Sequence, residues 1–168
     1  MLEIRRETAS DHEAVSRVVT LAFGRENVAR LVDALRDAGR VLLSLVAEDN
    51  GAIVGHIMFS RMTIDSGPIT HPAVCLSPLG VIPTRQGQGI GGRLIQAGLA
   101  ELRDAGHGAV FLLGHPSYYP RFGFRPARDF GVHYQDDRDA FMAIELYPGS
   151  LATASGAAHF APEFDTVS

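Results

Sequence analysis

The stretch Val81-Ile82-Pro83-Thr84-Arg85-Gln86-Gly87-Gln88-Gly89-Ile90-Gly91-Gly92-Arg93-Leu94 decides the fold of this chain. Its residues 87–92 include four glycines, which lie between an apolar run and a run with helical periodicity. Glycine lets the backbone turn with positive φ and approach a ligand closely, because it has no Cβ. A helix that begins here directs its unpaired N–H groups and the positive end of its dipole at the turn. The stretch therefore predicts an anion-binding loop, most often one for phosphate.

The composition predicts a soluble protein with one domain. The chain has 168 residues, of which 46% are hydrophobic and 20% charged, so we expect a single domain over 1–168, with a core of about 3–147 and a C-terminal extension at 148–168. No apolar run approaches the roughly 20 residues that span a bilayer, and the first six residues lack the apolar segment of a signal peptide. We therefore expect a cytoplasmic protein with no membrane partner. The single cysteine, Cys75, fits a reducing compartment and is expected to be a small buried residue rather than an acyl carrier.

All fifteen basic residues are arginines, and the net charge is −4. Without lysine, Schiff-base chemistry, attachment of pyridoxal phosphate and the lysine of a Walker A loop are excluded. The mild acidity and the scattered arginines argue against a nucleic-acid partner.

Hydrophobic periodicity predicts a mixed α/β sheet with one βαβ unit. Predicted helices cover 14–23 (N-capped by Ser10 or Asp11), about 26–36 and about 89–105. Predicted strands cover 3–7, 41–48, 52–59 with an allowed extension to 64, 73–81, 109–113, one that starts at 123, and 141–146, with a short helix or turn at 117–122. Pro78 predicts a bulge or splayed edge in its strand. The tail after Pro148 either forms a strand around His159-Phe160 or frays.

The glycine spacing also matches a dinucleotide-binding fingerprint, Gly87-x-Gly89-x-x-Gly92. That fingerprint follows its strand at once and is followed about 20 residues later by an acidic residue for the ribose. Here residues 83–86 separate the strand from the glycines, and residues 112–114 include no acid. A dinucleotide-binding oxidoreductase is disfavoured, and a glycine-rich turn that binds nothing is a further alternative.

Two motifs together indicate a family. Gln86-x-x-Gly89-x-Gly91, after Leu79-x-Val81-x-Pro83, resembles the acetyl-CoA loop of the GNAT superfamily of N-acetyltransferases. Tyr119-x-x-x-Gly123-Phe124 resembles the second signature of that superfamily, and the string from His115 to Phe124 is similar to predicted acetyltransferases of the YhbS kind. The resemblance runs from about residue 3 to 146. It implies a single GNAT-like α/β domain whose mixed, mostly antiparallel central sheet has a splayed wedge and helices on both faces.

The resemblance implies acetyl-CoA as co-substrate and no metal. The pantetheine arm would lie along one strand segment, and the pyrophosphate would bind the glycine loop. The implied cofactor-binding residues are Leu79, Gly80, Val81, Gln86, Gly87, Gln88, Gly89, Ile90, Gly91, Gly92, Arg93, Ser117 and Tyr119. Arg85 or Arg93 would add positive charge beside the phosphates of the cofactor. The alternative is that these residues are solvated surface arginines. Ser117 would either bond the cofactor or cap the short helix.

The same resemblance implies that Tyr119 is the catalytic acid for the thiolate. Tyr118 is the alternative, because a one-residue slip would exchange the two rings, and simple packing of both rings is the other possibility. For the general base the sequence leaves His115, Glu48, His56 and a water chain open.

The expected reaction is direct attack of a primary amine on acetyl-CoA in a ternary complex. The acceptor is a small-molecule amine or a protein amine, and Glu26 with residues 23–27 either lines its pocket or simply begins a helix. The alternative function is a non-catalytic module that binds or senses acyl-CoA. The C-terminal strand is expected to offer an edge for pairing in a homodimer.

Overall fold

The computed structural model describes residues 1–135 and 139–166. Its strands are β1 Leu2–Arg6, β2 Val41–Asp49, β3 Ala52–Asp65, β4 Thr70–Val81, β5 Ala109–Leu113, β6 Arg125–Pro126, β7 Val132–His133, β8 Phe141–Glu145 and β9 Gly156–His159. Its helices are α1 His12–Phe23, α2 Asn27–Asp37 and α3 Ile90–Asp104. None of these helices is long and apolar enough to cross a membrane.

The strands form one sheet in the order β1-β2-β3-β4-β5-β8-β6, and β9 pairs with both β3 and β7. The β1–β2, β2–β3, β3–β9, β5–β8 and β6–β8 pairs are antiparallel, whereas β4–β5 and β7–β9 are parallel. The predicted mixed, mostly antiparallel α/β sheet is therefore confirmed. The chain also divides into two compact units, the first made of 1–60, 77–98 and the C-terminal residues from 162, the second of 61–76 and 99–161. The expected single domain over 1–168 stays a prediction.

In the first unit, α3 packs on β3 where both elements carry a glycine. A Cβ on Gly55 of β3 would lie 3.2 Å from side-chain atoms of Ile90 and Leu94, in the first turns of α3. A Cβ on Gly98 of α3 would overlap the ring of Phe59, which is itself fully buried. The missing side chains let helix and strand approach closely, and this contact fixes where α3 begins.

In the second unit, β5 is the central buried strand. Four of its five residues are buried, and the exception is Leu113. It pairs in parallel with β4 at Val74 and Cys75, and antiparallel with β8 along its whole length. The rings of Phe111 and Phe141 stack with centroids 5.6 Å apart. The apolar run predicts this strand with the same bounds.

Several local features differ from expectation. Asp11 is the N-cap residue of α1, but its carboxylate accepts hydrogen bonds from Arg5 and Thr8 instead of capping the helix. β4 runs through the Ser77–Pro78 bond, which is cis, and pairs with β5 at Val74 and Cys75; the bulge or splayed edge expected at Pro78 stays a prediction. The tail forms β9, which confirms the first of the two alternatives for it. The expectation of a free C-terminal edge is wrong, because β9 has a neighbour on each side.

Replacement of Gly98 by alanine is expected to destabilise the protein. Alanine gains about 1 kcal/mol of helix propensity over glycine, but its Cβ would overlap the Phe59 ring, and overpacking of this kind costs about 1–3 kcal/mol. We expect a net loss in the free energy of unfolding, measured by chemical denaturation. A second change, Phe59→Leu, in the Gly98→Ala background should recover part of the loss beyond additivity. A Gly98→Ala protein more stable than the parent would contradict the close contact.

Candidate active site

The glycine loop is anchored to β3 at its start. The Ile82 N–H donates to the Val54 carbonyl at 3.0 Å, and a short 3-10 turn follows at Pro83–Arg85. Gly87 and Gly89 then have φ of 76° and 82°, a region that residues with a Cβ rarely adopt. These two positive φ values are what turns the chain from β4 into α3.

The first turn of α3 leaves backbone N–H groups available for an anion. The Arg93 N–H donates to the Gly89 carbonyl at 3.1 Å. The N–H groups of Ile90, Gly91 and Gly92 precede that bond and have no acceptor within the helix, as at every helix N-terminus. Residues 86–89 are exposed, so the N-terminal end of the helix dipole faces solvent.

Side chains hold the loop in place. The Gln86 side-chain amide donates to the Val81 carbonyl at 2.9 Å, which bridges the end of β4 and the loop. Arg85 donates to the Gln88 side chain at 3.0 Å and pairs with Asp49 at 2.9 Å. Arg85 is thus engaged within the protein, whereas Arg93 is exposed in the first turn of α3.

The segment Leu79–Val81 lies beside the C-terminal end of α1. Gly80 is buried, and a Cβ there would lie 3.0 Å from the Cβ of Ala22 and 3.5 Å from the ring of Phe23. Glycine at this position lets the strand and the helix approach each other. The first unit therefore brings together the loop and the strand segment that the sequence singled out.

The first unit also contains a polar group that we call the Glu7 cluster, made of Glu7, Arg36, Ser44 and His56 together with His12, whose side chain is 47% exposed. Arg36 Nη2 donates to both carboxylate oxygens of Glu7, at 2.8 and 2.7 Å. The Ser44 hydroxyl donates to Glu7 Oε1 at 2.9 Å and lies 2.9 Å from His56 Nε2. His56 Nε2 is 3.5 Å from Glu7 Oε1, and His12 Nε2 is 3.4 Å from Glu7 Oε2. The side chains of His56 and Glu7 are 0% and 5% exposed.

The environment of the cluster shifts two pKa values. Burial by itself would raise the pKa of Glu7, but hydrogen bonds from His56, Arg36 and Ser44 outweigh it and lower this pKa to about 2. Burial lowers the pKa of His56 in spite of the neighbouring carboxylate. An open cavity of about 340 Å³, lined in part by Glu7, His12, Arg36 and Ser44, lies at the solvent side of the cluster.

Tyr119 belongs to the second unit, where aromatic rings surround it. Its ring makes edge contacts with Tyr118 and Phe124, at centroid distances of 5.1 and 5.8 Å. A Cβ on Gly114 would overlap the Tyr119 ring, so glycine is required there. Burial raises the pKa of Tyr119 to about 12. The phenol is therefore neutral at physiological pH.

The neighbours of Tyr119 have other environments. Burial also raises the pKa of Tyr118, whose ring lies under the Arg121 guanidinium at 4.7 Å. The 3-10 helix Tyr119–Phe122 has Tyr118 as its N-cap residue. Ser117 is exposed and does not occupy the cap position, so the capping role considered for it is wrong.

The remaining candidates are distributed over both units. Glu48 accepts a hydrogen bond from Arg5 at 3.1 Å, which gives it a structural partner. His115 is exposed, and its carbonyl accepts the Tyr118 N–H at 3.1 Å. Cys75 is buried in β4, as expected. Among residues 1–135 and 139–166, no group of three or more His, Cys, Asp or Glu side chains is placed to hold a metal ion.

Comparison with known proteins places the chain in a family. Residues 3–127 match the family described as the acetyltransferase (GNAT) domain. The chain belongs to the GNAT acetyltransferases. The resemblance drawn from the two sequence motifs is thereby confirmed.

Individual relatives agree with this assignment. The chain is 46% identical to the uncharacterized N-acetyltransferase YjhQ of Escherichia coli over 70% of its own length and 66% of that protein. It is 30% identical to the uncharacterized N-acetyltransferase YhbS of E. coli over 96% of its own length and 98% of that protein. The structure of E. coli YhbS in complex with CoA superposes with a TM-score of 0.93, covering 99% of this chain and 93% of that one at 28% identity. A GNAT acetyltransferase from Brucella melitensis in complex with acetyl-CoA gives a TM-score of 0.82 at 36% identity, covering 98% of this chain and 99% of that one.

Sequence reasoning about this GNAT acetyltransferase missed most of the Glu7 cluster. Of its members, only His56 was considered as a functional residue. One signal was available, since Ser44 and His56 are isolated polar residues in the apolar runs of β2 and β3. Their partnership depends on strand pairing and on α2, which no local pattern specifies.

The stability of the protein is expected to depend on Glu7 at acid pH. The folded-state pKa of about 2 is below the ordinary value of 4.5. The resulting stabilisation, about 3 kcal/mol from 1.36 kcal/mol per pKa unit, is present above pH 4.5 and is lost as the pH falls towards 2. Glu7→Gln should lower the free energy of unfolding at pH 7 and flatten this part of the pH dependence. Glu13→Gln, at an exposed position on α1, is the matched control. If the free energy of unfolding varied with pH in the same way in the parent and in Glu7→Gln, the assignment of this stabilisation to Glu7 would be refuted.

Proposed function

We propose that this chain transfers an acetyl group from acetyl-CoA to a primary amine by direct attack in a ternary complex. The observation that carries the proposal is the first turn of α3, where three N–H groups without helical acceptors follow a turn built on two positive-φ glycines. The complexes of YhbS with CoA and of the Brucella protein with acetyl-CoA support it.

The loop would bind the pyrophosphate of the donor. Several convergent N–H groups and a helix N-terminus stabilise a diphosphate without a basic side chain. Residues 86–92 supply the backbone, and exposed Arg93 would add charge. The Gln86 bridge to Val81 would keep the loop in its binding shape and link it to Leu79–Val81, along which the pantetheine arm would pair as an added strand. Ser117 would contact the cofactor, as its place in the string from His115 to Phe124 implies.

Tyr119 would act on the leaving sulfur by hydrogen bonding. With a pKa of about 12, the phenol is a weaker acid than a thiol of pKa about 8.5, and complete transfer of its proton to a free thiolate would be uphill by about 5 kcal/mol. A hydrogen bond from the neutral phenol still stabilises the negative charge that develops on sulfur. The proton that finally remains on the thiol would come from the amine. This role for Tyr119 rests on the matched motif and on its neutral state.

The acceptor side would combine an amine site with apolar surface. Leu21 and Phe23, at the end of α1, are 50% and 43% exposed. The Phe23 ring lies beside Gly80, where the arm is proposed to lie. An amine attached to an apolar group, in a small molecule or a protein, fits this surface. Glu26 pairs with Arg30 at 3.3 Å, which favours a helix-start role for it.

Ligand-dependent stability tests the donor site. Acetyl-CoA should raise the melting temperature, and NAD should not, because only a ligand that binds the native state stabilises it. Gln86→Ala should weaken acetyl-CoA binding about tenfold, or about 1.4 kcal/mol, whereas Gln96→Ala, at an exposed position of α3, should bind like the parent. Stabilisation by NAD and not by acetyl-CoA would refute the proposed donor.

Replacement of Tyr119 tests catalysis against simple binding. Tyr119→Phe should keep acetyl-CoA binding and lower kcat about 100-fold, by loss of a donor to the developing charge. Tyr118→Phe is the control and should stay within about twofold. Thiol release from acetyl-CoA with a panel of primary amines provides the measurement. An unchanged kcat in Tyr119→Phe would exclude the role of Tyr119 in stabilising the leaving sulfur. A parent protein that binds acetyl-CoA but acetylates no amine would favour the alternative function, a non-catalytic module that binds or senses acyl-CoA.

A further inference from the structure

His56 is a fully buried imidazole with one ring nitrogen unpaired. Its side chain is 0% exposed, and Nδ1 has no hydrogen-bond partner among the described residues. Buried polar atoms of a folded protein are nearly always hydrogen-bonded, to the protein or to ordered water. The unpaired Nδ1 therefore calls for an explanation, such as a bound water or a catalytic role.

The hydrogen bonds of the Glu7 cluster decide which nitrogen carries the proton. The Glu7 carboxylate is ionised and can only accept, so the Ser44 hydroxyl must donate to it at 2.9 Å. A hydroxyl has one hydrogen, so Ser44 Oγ accepts in its 2.9 Å contact with His56 Nε2. His56 Nε2 is therefore protonated, and the neutral ring has its lone pair on Nδ1.

Strand pairing places His56 level with Gly80, where the pantetheine arm is proposed to lie. The Ile82 N–H bonds the Val54 carbonyl between neighbouring β4 and β3. Two residues further along β3 is His56, and two residues back along β4 is Gly80, so the two residues lie at the same level of the sheet. Both also face the helices: a Cβ on Gly80 would meet α1, and His56 shares Glu7 with Arg36 of α2.

We propose that His56 Nδ1 accepts the proton of the attacking amine through one bound water, with Ser44 and Glu7 as positioning residues. This inference rests on the proposed acetyl transfer. As the nitrogen–carbon bond forms and the carbon–sulfur bond breaks, the amine gives one proton to the water, and the water gives one to Nδ1. The imidazolium then returns this proton through solvent to the thiolate, so that a neutral amine and a thioester yield an amide and a thiol.

The surrounding charges suit a transient imidazolium. Glu7, which follows β1, lies 3.5 Å from His56 Nε2 and favours the cation. Arg36 of α2 disfavours the imidazolium, but it also holds Glu7 in place. His12 of α1 contacts the far oxygen of Glu7 at 3.4 Å. Burial keeps the ring neutral between turnovers, as the lowered pKa of His56 requires.

Kinetics of a His56→Gln variant tests the proposal. The variant should bind acetyl-CoA like the parent and lose about 10²–10⁴-fold in kcat/KM, the range of a general base. The parent's kcat/KM should fall at acid pH with an apparent pKa below the ordinary histidine value, because burial lowers the pKa of His56, and this fall should disappear in the variant. Ser60→Ala is the matched control, because Ser60 is a fully buried polar residue of the same strand outside the cluster. A folded His56→Gln protein with parental kcat/KM and pH profile would overturn the proposal.

Nitrogen-15 NMR of the histidine rings gives a readout that needs no activity. The parent should contain one buried ring with the proton on Nε2 at pH 7. The signal of this ring is assigned by its disappearance in His56→Gln or, if that variant does not fold, by its change in Ser44→Ala. Ser44→Ala should also lower kcat/KM several-fold, with recovery in Ser44→Thr. A proton on Nδ1, or unchanged kinetics in Ser44→Ala, would overturn the proposal while leaving the acetyl transfer standing. A parent inactive towards every amine would overturn both.

Discussion

The close contact between α3 and β3 determines where everything else in the donor site can be. Gly55 and Gly98 remove the side chains that would separate helix and strand, and Phe59 fills the space over Gly98. Because a helix is rigid along its axis, fixing it at both places also fixes the position of its first N–H groups. Without this contact, the two positive-φ glycines of the loop would not fix the direction of the chain, because a glycine backbone can adopt several conformations.

The Glu7 cluster has a second role in the first unit, as a polar connection between different elements. Glu7 follows β1, Arg36 is on α2, Ser44 is on β2 and His56 is on β3. Burial of charge is costly unless every group is paired, and here Glu7 receives two hydrogen bonds from Arg36 and one from Ser44.

The features that sequence predicted well are those with local causes. The glycine turn and the start of α3 follow from backbone freedom and helical spacing, and the buried strand β5 follows from an uninterrupted apolar run. The short strands β6 and β7 have two residues each, too few for a periodic pattern. The motif identified Tyr119, but not its raised pKa, which comes from packing against Phe124 and Tyr118. The Ser44–His56 contact joins residues 12 apart through the β2–β3 pairing, so no spacing rule reveals it.

The use of arginine as the basic partner in the ion pairs described above has a chemical consequence for an acetyltransferase. Arg5, Arg36 and Arg85 hold Asp11, Glu7 and Asp49, and the chain contains no lysine at all. A lysine amine is a target of acetylation and loses its charge when modified, whereas a guanidinium stays protonated and unreactive near neutral pH. The side-chain cations that maintain this fold therefore cannot be neutralised by the acetyl donor that the family uses, so the protein offers no lysine side chain for self-modification.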